Sequence, residues 1–203
     1  MPAIGITGGI ATGKTAFCES LCELLPGAKF FNADEAAHDL FETPEVREEI
    51  RTEFGADVFS GDADLNRAKV RAIIFGDATK KRALERILHP RIRRQWKAEA
   101  KKHRNSPNFF FADIPLLYEA GGETFCDRVI VVACSYKTQL ARLVARMSLK
   151  KLEAERMIQS QMPLEQKIAR ADHVVWNNGD RGVLMKQARL LAALWQQQLW
   201  TRK

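Results

Sequence analysis

The stretch Gly8-Gly9-Ile10-Ala11-Thr12-Gly13-Lys14-Thr15 decides the fold of this chain. It fits the pattern G-x-x-x-x-G-K-[ST] at every required position. Glycine at both ends lets the backbone turn back on itself and aim several N–H groups at phosphate oxygens. Lys14 can reach the β- and γ-phosphates of a nucleotide, and the hydroxyl of Thr15 is placed to ligate Mg²⁺. The sequence therefore predicts a nucleotide phosphate site here.

The segments on either side of this loop supply the context that the motif requires. Residues 3–7 form a short apolar run that is typical of a buried strand. Residues 13–25 carry an apolar stripe that predicts an amphipathic helix, whose positive dipole end would face the phosphates. A strand, a glycine-rich turn and a helix in this order indicate a P-loop. The residues predicted to bind the nucleotide are Gly8, Gly9, Ile10, Ala11, Thr12, Gly13, Lys14, Thr15 and Ala16.

Strand and helix patterns alternate along the rest of the chain. Four further apolar runs predict strands at 29–31, 109–114, 128–133 and 173–176. Helical patterns occupy 136–147, 150–161 and 182–200, and the segment 34–103 is almost entirely helical, with breaks that include His89-Pro90. Strands separated by helices imply parallel pairing through right-handed crossovers. We therefore predict an α/β fold.

Composition limits the classes of function. The net charge of +7 and the pI near 9.4 suit a polyanionic partner such as a nucleotide, a phosphorylated metabolite or nucleic acid. The chain has no apolar run of about 18 residues and no signal-peptide pattern, so we expect a cytoplasmic protein without a membrane span. Its four cysteines and four histidines show no metal-ligand spacing, and we expect reduced thiols.

Short motifs outside the loop occur in one order over nearly the whole chain. They are Asn32-Ala33-Asp34 with His38, Leu84-Glu85 with His89-Pro90, Pro115-Leu116-Leu117-Tyr118-Glu119, Gln139-Leu140 with Arg142 and Arg146, Gln161 and Pro163 ahead of Lys167, and Ala171-Asp172 ahead of Asn177. Together with the start of the chain, from Gly5 to Thr15, they resemble the dephospho-coenzyme A kinase family.

The resemblance implies both an architecture and an activity. The architecture is a three-layer P-loop fold with a five-stranded parallel sheet, in which the core comprises 1–33, 105–140 and 171–203. A helical acceptor-binding insertion would span 34–104 and a short helical lid 141–170. The activity is transfer of the γ-phosphate of ATP to the ribose 3′-hydroxyl of dephospho-coenzyme A, with Mg²⁺. Partners would be these small molecules, with neither nucleic acid nor membrane, and the chain would be a monomer or a weak homo-oligomer.

Asp34 is the candidate that accepts the proton of the 3′-hydroxyl. It follows the second predicted strand, at the edge where ligands bind in open α/β sheets, and the resemblance points to the same residue. The alternative is that Asp34 caps the helix that runs through Leu40. Asp113, at the end of the third strand, is the candidate to hold the metal together with Thr15. The alternative there is a turn or capping aspartate before Pro115.

The resemblance implies further contacts with the two substrates. Arg142 and Arg146, one turn apart on a helix, would approach the phosphates, and Asn177 would contact the adenine. The remaining residues expected to bind the acceptor are His89, Pro115 and Leu116. Each assignment has a plainer alternative, because the arginines suit a solvated helix face, His89-Pro90 suits a helix end and Asn177-Asn178-Gly179 suits a turn.

The chain departs from the family pattern at two places. Ala11-Thr12 stands where the family usually has Gly-Ser, a change that is tolerated if both residues have negative φ. Asn32 replaces the first aspartate of the Asp-Ala-Asp segment, so Asp34 is the only carboxylate of that pair.

Two other functions remain open from the sequence. One is a P-loop kinase for a different nucleoside, nucleotide or metabolite. The other is a regulatory or nucleic-acid-associated NTPase, which the positive charge favours and the lack of a guanine-reading motif or of clustered stacking aromatics opposes. Release of ADP only when the acceptor is present would distinguish a kinase from a switch protein.

Overall fold

The apolar runs of the sequence form the strands of one sheet in the computed structural model, which describes residues 3–60 and 64–200. These strands are β1 (Ala3–Gly8), β2 (Lys29–Asn32), β5 (Phe110–Asp113), β6 (Arg128–Ala133) and β7 (His173–Trp176), in the order β2-β5-β1-β6-β7. β1 pairs in parallel with both β5 and β6, and β6 pairs in parallel with β7. Two short strands, β3 (Phe59–Ser60) and β4 (Asp64–Leu65), form a separate antiparallel pair that the sequence did not predict.

Nine α-helices lie within the described residues. They are α1 (Lys14–Leu24), α2 (Ala33–Leu40), α3 (Pro44–Phe54), α4 (Arg67–Gly76), α5 (Ala78–His103), α6 (Tyr136–Met147), α7 (Lys151–Gln159), α8 (Leu164–Ala169) and α9 (Arg181–Trp200). None of them combines the length and the apolar character that crossing a bilayer requires.

Both faces of the sheet are buried at its three central strands, β5, β1 and β6. Ile4, Ile6 and Ile130 alternate along their strands and pack with α1 and α9, through residues such as Phe17 and Trp195. The intervening residues of β6 are buried on the opposite face, and α8 packs against that strand. A parallel sheet covered on both faces gives three layers, so the predicted fold class is confirmed.

The chain divides into two compact units. The sheet unit contains residues up to Phe31 and from Ala100 onward, and the helical unit is Asn32–Glu99. The helical unit has its own core, which includes Val46, Ile50 and Leu88. Each such side chain, when fully buried, stabilises its unit by about 1.5–3 kcal/mol.

The predicted break at His89-Pro90 is wrong. Helix α5 continues from Ala78 to His103 with Pro90 inside it. Proline removes one backbone donor and crowds the preceding turn, at a cost of about 3 kcal/mol. Leu84 and Leu88 are buried before Pro90 and Trp96 is buried after it, so packing on both sides offsets that cost.

Candidate active site

The phosphate loop joins β1 to α1 within a tightly packed turn. Gly13, the residue before α1, has a left-handed backbone with φ of 91°. A Cβ atom there would lie 2.0 Å from Nδ2 of Asn177, so no residue with a side chain fits. The Thr12 N–H donates to the Gly9 carbonyl at 3.3 Å, which closes the turn. Because the first N–H groups of α1 have no partner inside the helix, this end forms an anion site.

Ala11 corrects an expectation from the sequence. Alanine was expected to replace the usual glycine without strain if its φ is negative. The φ of Ala11 is +58°, so that condition is not met. The left-handed region brings Cβ close to the following carbonyl oxygen and costs about 1–2 kcal/mol for a residue other than glycine. The loop therefore holds Ala11 in a strained conformation.

Lys14 forms an ion pair with Asp113, the last residue of β5. The sheet register places Asp113 beside Ile6 of β1, two residues before the loop begins. Both side chains are largely buried, at 13% and 10% exposure. The Cys18 thiol donates to the other oxygen of Asp113, at 3.7 Å. Burial raises the pKa of Cys18, and the Asp113 carboxylate raises it further, so this thiol stays protonated.

The donors at this place fit a nucleotide with Mg²⁺. Thr15, in the first turn of α1, is exposed and offers a hydroxyl oxygen, and Asp113 offers a carboxylate. Mg²⁺ prefers oxygen ligands and shares its coordination with substrate phosphates and water, so it needs only one or two protein groups. The described residues contain no cluster of three His, Cys, Asp or Glu residues that could hold a metal ion without a substrate.

The Thr12 carbonyl is held from two directions. Asn177, directly after β7, donates from Nδ2 to this carbonyl at 2.9 Å, and an Arg142 guanidinium nitrogen lies 3.4 Å from it. Asn177 is buried, and its backbone N–H donates to the Ala133 carbonyl at 2.7 Å. In this structure Asn177 therefore supports the loop, and its contact with adenine stays a prediction.

The peptide groups of Ile10 are held by two glutamines. Gln139 on α6 donates from Nε2 to the Ile10 carbonyl at 2.7 Å. Gln161, between α7 and α8, accepts the Ile10 N–H at 2.9 Å. Gln139 is 3% exposed, so its amide is a buried polar group whose partner is the loop itself. The first half of the phosphate loop is thereby bound to two segments distant in sequence.

Next to Gln139 and Gln161 lies a cavity of about 280 Å³. Its lining includes Gly9 of the loop, Tyr136 of α6 and Pro163 between α7 and α8. The cavity therefore opens beside the loop, along the segment expected to form the lid.

The structure corrects one alternative for Asp34. The residue that caps α2 is Asn32, whose Oδ1 accepts the N–H of Asp34 at 2.9 Å and that of Glu35 at 3.3 Å. Asp34 is the second residue of α2, and its side chain is exposed. Asparagine and aspartate cap helices about equally well, so Asn32 performs the capping task despite the departure from the family pattern.

The other predicted residues are distributed over the two units. Pro115 and Leu116 follow β5 in the sheet unit, and the Pro115 carbonyl accepts the Thr7 hydroxyl at 2.9 Å. Arg146 is exposed in the last turn of α6. His89 belongs to the helical unit, where burial lowers its pKa. The structure thus brings the loop, Asp113, Pro115, Arg142 and Asn177 together, and it does not test the roles of Asp34, His89 and Arg146.

Three polar residues around the loop were not predicted as site residues. They are Gln139, Gln161 and Lys167, and the last is fully buried on α8. A signal was present, since all three lie in motifs that resemble the family. Their contacts with the loop span 129 to 159 residues of sequence, which no local pattern reveals.

The phosphate loop follows the first strand of a parallel sheet and leads into a helix. This fold and this site define the protein as a P-loop phosphotransferase. The family model for dephospho-CoA kinase matches residues 2–182. The chain therefore belongs to the dephospho-CoA kinase family, and the resemblance noted from the sequence is confirmed.

Known relatives agree with this assignment. The chain is 36% identical over 184 residues to the dephospho-CoA kinase of Fusobacterium nucleatum, covering 91% of this chain and 93% of that one. It is 41% identical over 198 residues to that of Anaeromyxobacter dehalogenans, covering 96% and 92%. Among solved structures, dephospho-CoA kinase from Campylobacter jejuni superposes with a TM-score of 0.64 at 25% identity, covering 95% of this chain and 96% of that one.

Proposed function

We propose that this chain transfers the γ-phosphoryl group of ATP to the ribose 3′-hydroxyl of dephospho-coenzyme A. The observation that carries the proposal is the complete phosphate loop, with Lys14 paired to a strand-end carboxylate, in a member of this family. In the step, the 3′-oxygen forms a bond to the γ-phosphorus and the bond to the β–γ bridging oxygen breaks. The products are coenzyme A, ADP and one proton.

Lys14 and the loop act on the phosphates. The loop N–H groups and the first turn of α1 bind phosphate oxygens without having to reorganise, because Gln139, Gln161 and Asn177 already hold the loop. On nucleotide binding, the Lys14 ammonium exchanges Asp113 for the β- and γ-phosphates. Asp113, freed from this ion pair, and Thr15 would hold Mg²⁺, and the ion would supply positive charge that neutralises the phosphates.

Asp34 acts on the acceptor. Its carboxylate accepts a hydrogen bond from the 3′-hydroxyl, orients the oxygen and takes its proton late in the step, since phosphoryl transfer has a loose transition state. The helical unit, with His89, is proposed to bind the acceptor together with Pro115 and Leu116.

Arg142 and Arg146 complete the positive environment of the transferring group. Arg142 already lies beside the loop at the Thr12 carbonyl. Arg146, one turn further along α6, reaches the phosphates only when the proposed lid, residues 141–170, closes. The reaction is proposed to occur in the cytoplasm, with small molecules as its partners and the chain as a monomer or weak homo-oligomer.

A panel of acceptors tests the proposal. ADP release is measured by coupled assay with ATP and Mg²⁺, in the presence of dephospho-coenzyme A, adenosine, nucleoside monophosphates, shikimate or no acceptor. We expect ADP release with dephospho-coenzyme A to exceed every other condition, and mass spectrometry to show coenzyme A as the product. Faster turnover with another acceptor would assign the chain to that substrate, and acceptor-independent hydrolysis would indicate a switch protein.

A further inference from the structure

Lys167 is a lysine without exposed surface, on the short helix α8. Lysine is almost never fully buried unless it is paired. Its ammonium lies 3.1 Å from the Gly8 carbonyl, 3.2 Å from the Pro115 carbonyl and 2.8 Å from the Glu119 carboxylate. An ammonium has three donors, so each one has an acceptor.

The two carbonyls lie where neighbouring strands stop pairing. The β1–β5 register extends to Ile6 beside Asp113, and the Ile114 N–H donates to the Ile6 carbonyl at 3.0 Å. The described pairing of β1 with β5 ends at this position. The Lys167 ammonium joins the two chains beyond this point. The Thr7 hydroxyl, which also donates to the Pro115 carbonyl, is a second and weaker connection.

The two joined strand ends carry the two halves of the nucleotide site. Gly8 is the first residue of the phosphate loop, and Pro115 is two residues after Asp113. The Lys167 ammonium therefore connects the first residue of the loop to the segment that follows Asp113.

We propose that Lys167 is a positioning residue for nucleotide binding, which bridges the carbonyls of Gly8 and Pro115 and so fixes the phosphate loop relative to Asp113. The inference deepens the proposed function, because it rests on the use of this loop for Mg²⁺ and ATP. The alternative is a purely structural role, in which Lys167 neutralises Glu119 and nucleotide binding by the loop does not depend on the bridge.

Two variants separate these roles. Lys167→Met keeps the length of the side chain and removes the charge and all three donors. Glu119→Gln removes the carboxylate that Lys167→Met leaves without its ammonium, and a glutamine oxygen can still accept the Met162 N–H that Glu119 binds at 3.0 Å. The measurements are the thermal midpoint without nucleotide and the affinity for a non-hydrolysable ATP analogue with Mg²⁺ by isothermal titration.

We expect Lys167→Met to lower the midpoint and to weaken analogue binding by about tenfold or more, equivalent to one lost charge-assisted hydrogen bond. The double variant Lys167→Met/Glu119→Gln should recover much of the midpoint, because the unpaired carboxylate is gone, and should still bind the analogue weakly, because the bridge is still absent. Affinity that returns together with the midpoint, or normal affinity in Lys167→Met, would overturn the proposal.

A matched control lies three residues away. Arg170 forms an exposed ion pair with Glu123, and it does not contact the loop. Arg170→Met removes one cation from the same segment and should change analogue affinity by less than about twofold, because surface ion pairs contribute little. A loss equal to that of Lys167→Met would show that general charge, and not the bridge, governs binding.

A less disruptive substitution provides the test if the Lys167 variants do not fold. Thr7→Val preserves shape and leaves the ion pair intact while it removes the second connection to the Pro115 carbonyl. Weaker analogue binding at an unchanged midpoint supports a loop that depends on this junction, and a lower midpoint with unchanged binding overturns it, because the junction is then structural only. Because binding is measured without an acceptor, a wild-type protein that binds the analogue but does not phosphorylate dephospho-coenzyme A would contradict only the proposed substrate.

Discussion

The phosphate loop and the α2 segment both carry a proposed catalytic residue, but the structure holds the two residues differently. Lys14 is 13% exposed, pairs with Asp113 and belongs to a loop bound by Gln139, Gln161 and Asn177. Asp34 is an exposed residue in the first turn of a helix. Its backbone N–H donates a hydrogen bond to the side-chain oxygen of Asn32.

This difference separates two tasks of a phosphotransferase. A site for phosphates gains most from groups that are fixed in advance, because no free energy is then spent on reorganising them when charge develops in the transition state. An acceptor hydroxyl can be aligned by binding energy from the rest of the acceptor, so its proton acceptor can remain exposed until the acceptor arrives. We therefore expect changes at Asp34 to affect mainly turnover, with only a small effect on stability, and changes in the loop to affect binding, stability and turnover together.

The largest effect is expected for Asp34→Asn. The change removes the charge and the proton acceptor but keeps the size of the side chain, and Asn32 remains the helix cap. We expect kcat to fall by about two to four orders of magnitude, in the range of general bases. The measurement is steady-state kinetics with dephospho-coenzyme A and ATP.

Glu35→Gln is the matched control for Asp34→Asn. Glu35 is the next residue of the same turn and is also exposed, so both variants lose a similar helix-dipole contribution of about 0.3–1 kcal/mol. Only Asp34→Asn should lose turnover. Equal kinetics in the two variants would make Asp34 a contributor to helix stability and nothing more.

Lys14→Ala should lower kcat/KM by about two or more orders of magnitude, because it removes the cation that stabilises charge on the β–γ bridge and the γ-oxygens. It should also lower the thermal midpoint, since it leaves the largely buried Asp113 carboxylate without its partner. Kinetics are measured well below that midpoint. Lys29→Ala, which removes an exposed lysine from β2, is the control, and near-normal turnover in Lys14→Ala would refute the assignment of the loop.

The sequence predicted the elements whose patterns are local. The strand at 128–133, the strand at 173–176 and the helix at 136–147 have the predicted bounds, because their apolar spacing is complete within each segment. Lys167 could not be assigned in this way. From the sequence, a lysine on a short helix is expected to lie on a solvated face. Lys167 is buried instead because its ammonium binds the carbonyls of Gly8 and Pro115, which are far away in sequence.

The same distinction applies inside the phosphate loop. The spacing of Gly8, Gly13 and Lys14 predicted the turn, because each position has a local stereochemical requirement. The positive φ of Ala11 was not predicted, since alanine itself favours negative φ. It follows from the anchors on each side of that residue, on Ile10 and on Thr12, which together determine the path of the backbone.

A smaller effect is expected on α6. If Arg146 contacts the phosphates only after lid closure, Arg146→Ala should reduce kcat more than it weakens binding of dephospho-coenzyme A. Lys151→Ala, at the exposed start of α7, should change kcat by less than about twofold, because a solvated lysine contributes little. Stopped-flow and steady-state measurements separate binding from turnover, and equal losses in both variants would contradict the role given to Arg146.

The smallest effect is expected for Ala11→Gly, which changes only stability. This substitution tests whether the phosphate loop holds Ala11 in a strained conformation. Glycine adopts a φ of +58° without the steric cost that alanine bears, and it loses more backbone entropy on folding. The steric relief is the larger contribution, so we expect stabilisation by about 0.5–1 kcal/mol and a rise of about 1–4 °C in the thermal midpoint.

Two glycine substitutions elsewhere make this measurement specific. Ser148→Gly, at the C-cap of α6 with a φ of 52°, should stabilise by a similar amount because the backbone region is the same. Ala16→Gly, inside α1, should destabilise by about 0.5–1 kcal/mol, because no strain is relieved there. If Ala11→Gly instead behaves like Ala16→Gly, the anchors on Ile10 and Thr12 do not impose a left-handed residue in solution. The rigidity that distinguishes the phosphate loop from α2 would then have to arise when nucleotide binds.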